Sequence, residues 1–252
     1  MIKYSMTPVI LNNLLDIERN YGRREALRLS DTQQGYLERK NMIQSSYIST
    51  SIDGNPLTQS QVSYFLLANR NHANPYEKDI QNYFEILTRL GEISRENLSL
   101  SPICRFHVDL KNGVTGENSG ELRGQSARIN SLENDSESKQ RALEELIAWH
   151  NSDTQILPVI KAAVFHWKFA HIQPFSFGNG AVGRLLTALL LIKAGYEVNK
   201  YFVLDDYYDL DRRQYFEALF GDNSDSTAWV EYFTAGMIYS LRNGLENALK
   251  IF

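Results

Sequence analysis

The chain has a single cysteine, Cys104, among its 252 residues, and it has no long uninterrupted hydrophobic run. One cysteine excludes an intrachain disulfide, which is typical of proteins from a reducing compartment. The longest apolar stretch, residues 185–194, is interrupted by Thr187 and Lys193 and is shorter than the roughly 20 residues that a membrane-spanning helix needs. The N-terminus lacks the basic segment and apolar core of a secretion signal. We therefore expect a soluble, cytoplasmic protein.

The chain also lacks a strong charge of either sign. It has 26 Lys and Arg against 30 Asp and Glu residues, a net charge of −4, and the two signs are interspersed. A protein that binds nucleic acid or an anionic membrane usually presents a concentrated basic surface. We therefore expect neither nucleic acid nor a membrane among its partners.

Hydrophobic residues make up 43% of the chain, enough for a large core, and they recur at helical spacing through most of it. The pattern predicts a mainly α fold. Gly113 and Gly195 are typical of helix ends, and Thr58 with Gln61 forms a capping box that starts a helix. Helices are predicted over residues 8–18, 33–52, 58–70, 76–91, 102–112, 139–150, 156–172, 180–194, 211–220 and 227–249, with an acidic linker over 130–140.

Residues 169–184 carry the most informative pattern. An apolar helical run ends at Pro174, a Gly-Asn-Gly turn follows at 178–180, and a second helical run carries Arg184 near its start. Glycine and asparagine tolerate left-handed backbone angles, so successive N–H groups in such a turn can converge on an anion. The positive N-terminal end of the second helix favours the same ligand, most naturally a phosphate. The alternative is an ordinary helix-loop-helix turn in which the glycines only provide flexibility.

The same segment resembles the signature of the Fic family (Fic/Doc or Fido domains), His-Pro-Phe-x-Asp/Glu-Gly-Asn-Gly-Arg-x-x-Arg. Upstream, residues 49–55 (Ser-Thr-Ser-Ile-Asp-Gly-Asn) are similar to the family's inhibitory-helix motif, Ser/Thr-x-x-x-Glu-Gly/Asn, in the class that carries this helix N-terminal to the core. Two matches in the family's order argue against chance. The residues in register with the signature are Ile172, Pro174, Phe175, Gly178, Asn179, Gly180 and Arg184.

The resemblance implies a Fic-fold helical bundle with a short β-hairpin flap. It also implies an N-terminal helical region, residues 1–42, followed by a Fic-like domain, residues 43–252. Within that domain the inhibitory helix covers about 43–55, the flap about 119–130 and the core motif 172–184. The family's flap aligns a protein target by adding it as a strand, whereas composition alone favours a solvated loop here.

The resemblance also implies an activity. Fic enzymes typically transfer AMP from ATP to a protein hydroxyl. In that scheme the motif His takes the proton of the target and the Asp/Glu holds Mg²⁺, while the Gly-Asn-Gly amides and the second Arg bind the phosphates. The residues that would hold ATP or another nucleotide here are Gly178, Asn179, Gly180 and Arg184.

Three motif positions depart from the signature. Gln173 stands at the His position, and a carboxamide cannot act as a general base near neutral pH. Phe177 replaces the Asp/Glu and offers Mg²⁺ no oxygen ligand, so no metal site is expected. Ala181 replaces the first Arg and removes a cation that would face the phosphates. We expect an adenylyltransferase-like protein in which catalysis is weak or lost and the phosphate site is retained.

His171 is a poor substitute for the missing base. It lies two residues before Gln173 on a predicted helix, and two residues rotate a helical side chain by roughly 200°. The two side chains therefore point to nearly opposite faces, and His171 is expected to be a structural or surface histidine.

Asp53 takes the position of the inhibitory Glu in the resemblance, which implies regulatory roles for Ser49, Asp53 and Gly54. We predict an Asp53–Arg184 salt bridge, direct or water-bridged. The alternative is that Asp53 only belongs to the turn that ends its helix. Downstream, Tyr215 is a candidate to stack on the nucleotide base, although a Tyr/Phe stripe on a helix is more often core packing.

Two rival functions stay open. One is a non-enzymatic module that senses a nucleotide or binds a protein, and the other is divergent transfer of a different phosphate-linked group. The expected partners are a nucleotide and an unidentified protein target that docks on the flap edge. The sequence also leaves a homo-oligomer open.

Overall fold

Helices dominate the described part of the chain. The computed structural model describes residues 3–68, 74–114, 120–123, 133–152, 155–222 and 224–251. Within these ranges, extended pairing is limited to an isolated bridge between Val198 and Phe202. The mainly α class predicted from the sequence is confirmed. The α-helices are α1 (Pro8–Arg23), α2 (Asp31–Ile52), α3 (Gln59–Leu67), α4 (Pro75–Ile93), α5 (Leu100–Lys111), α6 (Glu133–Ser152), α7 (Pro158–Ile172), α8 (Asn179–Lys193), α9 (Asp205–Leu210), α10 (Arg212–Phe220) and α11 (Thr227–Leu249).

Two helices form the centre of the bundle. α7 and α8 pack against each other, and α7 also contacts α6, α10 and α11. α7 has buried residues on most of its sides, and every residue of α8 from Ala181 to Leu191 is buried. Apolar faces on all sides are typical of a helix inside a core. Both helices therefore lie at the centre of the core, and the loop between them is held by two buried elements.

The other helices enclose this pair. α11 packs on α1 and α7, and α4 and α5 pack on α8. Trp229 of α11 reaches the centre, where its Nε1 donates to the carbonyl of Ala163 at 2.7 Å. α2 runs through residue 42 without interruption, and the division there into two regions stays a prediction. Across the described ranges, no helix combines the length and hydrophobicity that crossing a bilayer requires.

Local sequence signals set several helix ends. Thr58 accepts from the N–H of Gln61, and the Gln61 carboxamide accepts from the N–H of Thr58. This is the capping box predicted from the sequence. The predicted helix ends at Gly113 and Gly195 are also confirmed, since both residues have positive φ, 71° and 94°, just after α5 and α8 end.

α6 and α9 differ most from the predictions. α6 begins at Glu133, so the acidic linker predicted over 130–140 is wrong from residue 133 onward. Leu143 and Leu146 anchor α6 in the core, and a helix nucleated there extends readily through residues of modest propensity. The sequence pattern does not predict α9, because a six-residue helix shows too little periodicity to be recognised.

The predicted flap falls largely outside the described residues. Of 119–130, the structure describes residues 120–123, and these four form no strand. Leu122 is buried, and the N–H of Arg123 donates to the carbonyl of Pro174 at 2.7 Å. This short segment therefore contacts the loop between α7 and α8, and the hairpin itself stays a prediction.

Candidate functional site

Two residues with left-handed backbone shape the loop between α7 and α8. Gln173 ends α7 with φ 46° and ψ 62°, and its N–H donates to the carbonyl of Phe169. Gly178 is the N-cap residue of α8, with φ 72°. A left-handed conformation costs roughly 1–2 kcal/mol for a residue with a Cβ, so surrounding contacts must hold Gln173 there. One of them comes from Lys139, whose Nζ donates to the carbonyl of Ile172 at 2.9 Å.

Asn179 fixes the same loop from inside. Its Oδ1 accepts from the N–H of Phe175 at 2.9 Å, and its Nδ2 donates to the carbonyl of Phe175 at 2.7 Å. These two bonds satisfy a backbone unit that has no partner in regular secondary structure. The side chain of Asn179 thus shapes the loop, and the group that it leaves for a ligand is its backbone N–H.

The C-terminal turn of α2 lies beside the N-terminus of α8. Asp53 is the C-cap residue of α2, and Gly54 follows with φ 97°. The N–H of Gly54 donates to the carbonyl of Ser51 at 3.1 Å, and the N–H of Asn55 donates to that of Thr50 at 3.0 Å. These are the two bonds of a Schellman motif. Asp53 therefore does belong to a helix-ending turn, and the turn fixes the direction of its side chain.

Asp53 joins α2 to α8 through both carboxylate oxygens. Its Oδ1 accepts from Nη2 of Arg184 at 2.8 Å, and its Oδ2 accepts from the backbone N–H of Ala181 at 3.0 Å. The predicted Asp53–Arg184 pair is confirmed as a direct salt bridge. Ala181 lies in the first turn of α8, where the helix dipole favours a negative charge. A carboxylate of the chain itself therefore lies where the sequence predicts an external anion.

Arg184 is buried, with 2% of its surface exposed. Its Nε donates to Oγ of Ser49 at 2.7 Å, and its Nη2 donates to the Ser49 carbonyl at 2.8 Å. Burial opposes the guanidinium charge, but Asp53, together with Tyr215, Tyr83 and Asp205, outweighs burial and raises the pKa of Arg184. Arg212 also reaches α2, where it donates to the carbonyl and hydroxyl of Ser51 at 3.0 and 2.8 Å. Two guanidinium groups thus satisfy carbonyls at the negative end of α2.

Gly180 allows the carboxylate to approach α8. A Cβ at this position would lie 2.7 Å from Asp53 Oδ1 and 3.1 Å from Arg184 Nη1. Both distances are shorter than the van der Waals optimum, so a larger residue would push the carboxylate away from the helix. The glycine therefore serves the close approach of an anion, whether that anion is Asp53 or a ligand.

A chain of directed hydrogen bonds lies beneath Arg184. The Thr187 hydroxyl donates to the carbonyl of Gly183 at 2.7 Å, so its oxygen accepts from Nδ1 of His166 at 2.8 Å. His166 Nε2 then accepts from the Tyr215 hydroxyl at 3.3 Å, and the nearby charge of Arg184 opposes the rise in the pKa of Tyr215 that burial causes. Burial, helped by the charge of Arg184, lowers the pKa of His166 to about 3. His166 is therefore neutral at physiological pH and a poor general base.

A cavity of about 490 Å³ opens beside these residues. Its polar side includes Asp53 and Arg184, and its apolar side is formed by Ala170, Phe216, Leu219 and Phe220. The Phe216 and Phe220 rings are 42% and 39% exposed. The cavity thus places the Asp53–Arg184 pair next to exposed aromatic rings.

Tyr215, the predicted base contact, lines this cavity but is 1% exposed. Its ring stacks on Tyr208 with a centroid distance of 4.5 Å, and its hydroxyl belongs to the network beneath Arg184. Phe216 and Phe220 are better placed to contact a base, and the sequence gives no sign of this because a Tyr/Phe stripe does not show which ring faces a cavity. Lys111 also lines the cavity, and no local pattern around it predicts that role.

The histidines near the cavity are engaged in structural contacts. His107 Nδ1 accepts from the N–H of Gly120 at 2.7 Å, and its Nε2 donates to the carbonyl of Phe177 at 3.0 Å. Burial lowers the pKa of His107 to about 4. His171 donates from Nδ1 to the carbonyl of Trp167 at 2.8 Å, within α7, as a structural histidine is expected to do. Both ring nitrogens of His107 and of His166 are therefore occupied.

The three departures from the signature lie at or beside the cavity. Gln173 and Phe177 line it, and Ala181 is buried in the first turn of α8. Within the described ranges, no group of three His, Cys, Asp or Glu side chains is placed to hold a metal ion. The donors around the cavity fit the phosphates of a nucleotide, whereas Phe177 leaves Mg²⁺ without the carboxylate that the signature supplies.

Comparison with known proteins gives the site a context. Residues 97–191 match the model of the Fic/DOC family. The protein adenylyltransferase Fic of Aedes aegypti is 30% identical over 194 residues, which cover 71% of this chain and 38% of the relative. The Drosophila melanogaster protein of the same name is 27% identical over 188 residues, with 69% and 38% covered. The chain thus spans well under half the length of these relatives.

Solved structures share the fold. A Fic family protein from Desulfovibrio desulfuricans G20 superposes with a TM-score of 0.83 at 21% identity, covering 98% of this chain and 77% of that chain. A fragment of Fic-1 from C. elegans gives a TM-score of 0.78 at 20% identity, with 93% and 71% covered. Helices α7 and α8, with the Gly-Asn-Gly turn at the start of α8, therefore belong to a Fic fold. Residues 97–191 thus match the Fic/DOC family, and the chain around them shares the Fic fold.

Proposed function

We propose that this chain binds ATP or another nucleotide at the N-terminus of α8, and that Asp53 holds the site closed until the nucleotide displaces it. The position of the Asp53 carboxylate carries the proposal, because it spans the Ala181 N–H and the Arg184 guanidinium. A polyphosphate brings more charge and more acceptor oxygens than one carboxylate and competes for the same donors. Helix N-termini with an adjacent guanidinium are favourable sites for phosphate.

The apolar side of the cavity supports a nucleotide over inorganic phosphate. Phe216 and Phe220 are exposed on α10 within the same cavity as Arg184. Aromatic rings of this kind stack on a base, and base–aromatic stacking contributes about 1–3 kcal/mol. The phosphates would then occupy the polar side and the base the apolar side.

Catalysis is proposed to be weak or lost. The curated relatives are named protein adenylyltransferases, and AMP transfer needs a base for the target hydroxyl and a counter-charge for the phosphates. Gln173 cannot take the proton, and general-base catalysis commonly contributes about 10²–10⁴-fold. Phe177 removes the metal anchor and Ala181 one cation, which costs several kcal/mol more of transition-state stabilisation. The binding step is retained and most of the chemistry is not.

A nucleotide sensor is the second candidate, and the α2 turn favours it. Asp53 is the C-cap of α2, so a ligand that displaces its carboxylate also removes a contact between α2 and α8. Nucleotide binding would thereby remove one of the contacts that fix the C-terminal turn of α2. The segment 120–123 contacts the loop between α7 and α8 through Arg123. A protein target docked against this segment would therefore lie close enough to respond to the change at α2.

Titration calorimetry with ATP, together with incubation of α-labelled ATP and a cell extract, tests both parts of the proposal. The wild-type chain should bind ATP, Arg184→Met should lose that binding, and exposed Arg242→Met should retain it. Arg184→Gln, which also removes the charge, serves where the Met variant does not fold, as judged by circular dichroism. If the Arg184 variants bound ATP as tightly as the wild-type chain, nucleotide binding at this site would be refuted. Label transferred to protein at an enzymatic rate would refute the loss of catalysis.

A further inference from the structure

Lys111 is a second cation at the nucleotide cavity. It lies in the last turn of α5, and its Nζ forms a salt bridge with Oδ1 of Asp79 at 3.0 Å. Both side chains are largely buried, with 12% and 14% exposed. The stem passes over Gly178, because a Cβ on Gly178 would lie 2.8 Å from Lys111 Cε. The side chain therefore stands beside the N-cap of α8 and lines the same cavity as Arg184.

The position of Lys111 is electrostatically costly. The N-terminus of a helix carries a partial positive charge, which repels a cation placed beside it, and Arg184 adds a second full charge to the same cavity. In the structure, Asp79 and Asp53 offset these charges. A largely buried ion pair adds little net stability over an apolar pair of similar volume. Stability alone therefore does not explain a lysine here, whereas an anionic ligand over α8 does.

The C-terminal turn of α2 contacts both of the balancing carboxylates. Asp53 itself pairs with Arg184. Two residues later, Asn55 Nδ2 donates to the carbonyl of Tyr76 at 2.9 Å and lies 3.4 Å from Oδ2 of Asp79. One Schellman turn thus contributes to the placement of both acids, and each acid holds one cation of the cavity.

We propose that Lys111 is a phosphate-binding residue of this site and supplies the positive charge that the family signature has at position 181, where this chain has Ala181. The inference rests on the proposed nucleotide binding and adds a residue to it. When a phosphate competes with Asp79, the ammonium group offers three donors as a compact point charge. Lys111 and Arg184 then flank the phosphates from α5 and α8, and Asp79 and Asp53 are the two carboxylates that the ligand displaces.

Calorimetric titration of the full 252-residue chain with ATP and with adenosine tests the inference. The parent is Asp53→Gly, in which Arg184 is released from its carboxylate. Lys111→Met in this parent should weaken ATP affinity about tenfold and leave adenosine affinity unchanged, because adenosine carries no phosphate. Lys111→Arg should retain most of the affinity, and Asp79→Asn should raise it about threefold. Lys200→Met is the matched control, since Lys200 pairs with Glu197 at 2.7 Å and does not line this cavity.

The outcomes separate the two proposals. If the parent binds ATP and loses it on Arg184→Met but not on Lys111→Met, the Lys111 inference fails and the proposed function stands. Equal losses for ATP and adenosine on Lys111→Met would reveal a packing effect and would also overturn the inference. If the parent binds no ATP, the proposed function fails and the inference fails with it. Melting curves by circular dichroism confirm that each variant is folded, and the uncharged Lys111→Gln replaces Lys111→Met in the comparison where the latter is not.

Discussion

Asp53 and Ala181 are 128 positions apart in the sequence, yet the carboxylate of the first accepts a hydrogen bond from the backbone N–H of the second at 3.0 Å. The C-cap residue of one helix thus acts as the anion at the N-terminus of another. A cap of this kind commonly contributes about 1 kcal/mol to stability. The other oxygen of the same carboxylate accepts a hydrogen bond from Arg184. The contact that stabilises the α2–α8 junction therefore uses the donors that a phosphate needs.

Replacing Asp53 by glycine should tighten ATP binding about tenfold, because the ligand no longer competes with an internal carboxylate. Glycine suits the C-cap conformation, φ −85° and ψ 6°. The unliganded variant should lose about 2 kcal/mol of unfolding free energy, because buried Arg184 loses a charged partner. Calorimetry and urea denaturation measure the two effects. Asp53→Asn keeps the shape of the side chain and removes its charge, so its ATP affinity and its stability should lie between those of the wild type and Asp53→Gly. Unchanged ATP affinity in both variants would refute competition at this site.

Gly180→Ala should destabilise the protein by about 1–3 kcal/mol, since the new Cβ would overlap Asp53 and Arg184. Gly35→Ala is the matched control: it is an exposed glycine inside α2 with no atom within 4 Å of the added Cβ, and it should stabilise by up to about 1 kcal/mol. In an Asp53→Gly background the cost of Gly180→Ala should fall, because the nearest neighbour is gone. A cost that is the same in both backgrounds, measured by urea denaturation, would argue against the crowding described here.

His166 should stay neutral, protonated on Nδ1, well below the pH at which an ordinary histidine titrates. The directed chain from Tyr215 through His166 to Thr187 requires that tautomer, and burial lowers the pKa of His166 to about 3. Nitrogen-15 chemical shifts of the imidazole report both properties directly. A titration of His166 near pH 6.5, or the Nε2–H tautomer, would contradict the network.

The same shift predicts a pH dependence of stability. The unfolded chain binds a proton on His166 near pH 6.5, while the folded protein does so only near pH 3. Between these values the unfolded state binds more protons, so the contribution of His166 to stability falls as pH decreases, by about 2 kcal/mol from pH 7 to pH 5. Comparison with His166→Phe isolates the contribution of His166 to stability. Burial raises the pKa of Asp206 to about 6, which has the opposite effect on stability, but this effect is the same in both proteins and cancels in the difference. The difference in unfolding free energy between the wild type and His166→Phe should decrease by about 2 kcal/mol from pH 7 to pH 5. A difference that does not change with pH would contradict the lowered pKa of His166.

Mg²⁺ should not strengthen ATP binding. The signature's metal-binding carboxylate is replaced by Phe177, whose ring lines the cavity and offers no oxygen to the metal. Calorimetry on Asp53→Gly, in EDTA and in excess Mg²⁺, measures this. Phe177→Asp should introduce a Mg²⁺-dependent gain, and Phe177→Leu should not. A Mg²⁺-dependent gain in affinity with Phe177 in place would show that the metal is held by other groups.

Residues with strong local signals were predicted well. The glycine turn at 178–180, the capping box at Thr58, and the helix ends at Gly113 and Gly195 depend on neighbours within a few positions, so the sequence contains what is needed to predict them. The Asp53–Arg184 pair followed from two matching motifs. Tyr215 was not predicted as well, because its ring lies in the core and a local sequence pattern does not distinguish it from the exposed rings of Phe216 and Phe220.

The sequence by itself determined the helical class, the backbone turns between α7 and α8, and the absence of a titratable base at Gln173. Only the tertiary structure decided that the end of α2 meets the start of α8, that Arg184 is buried against Ser49, and that Lys111 stands over Gly178. The reason is that backbone preferences act between adjacent residues, whereas charge interactions depend on distance through space and on burial. Both quantities are set by how the helices pack.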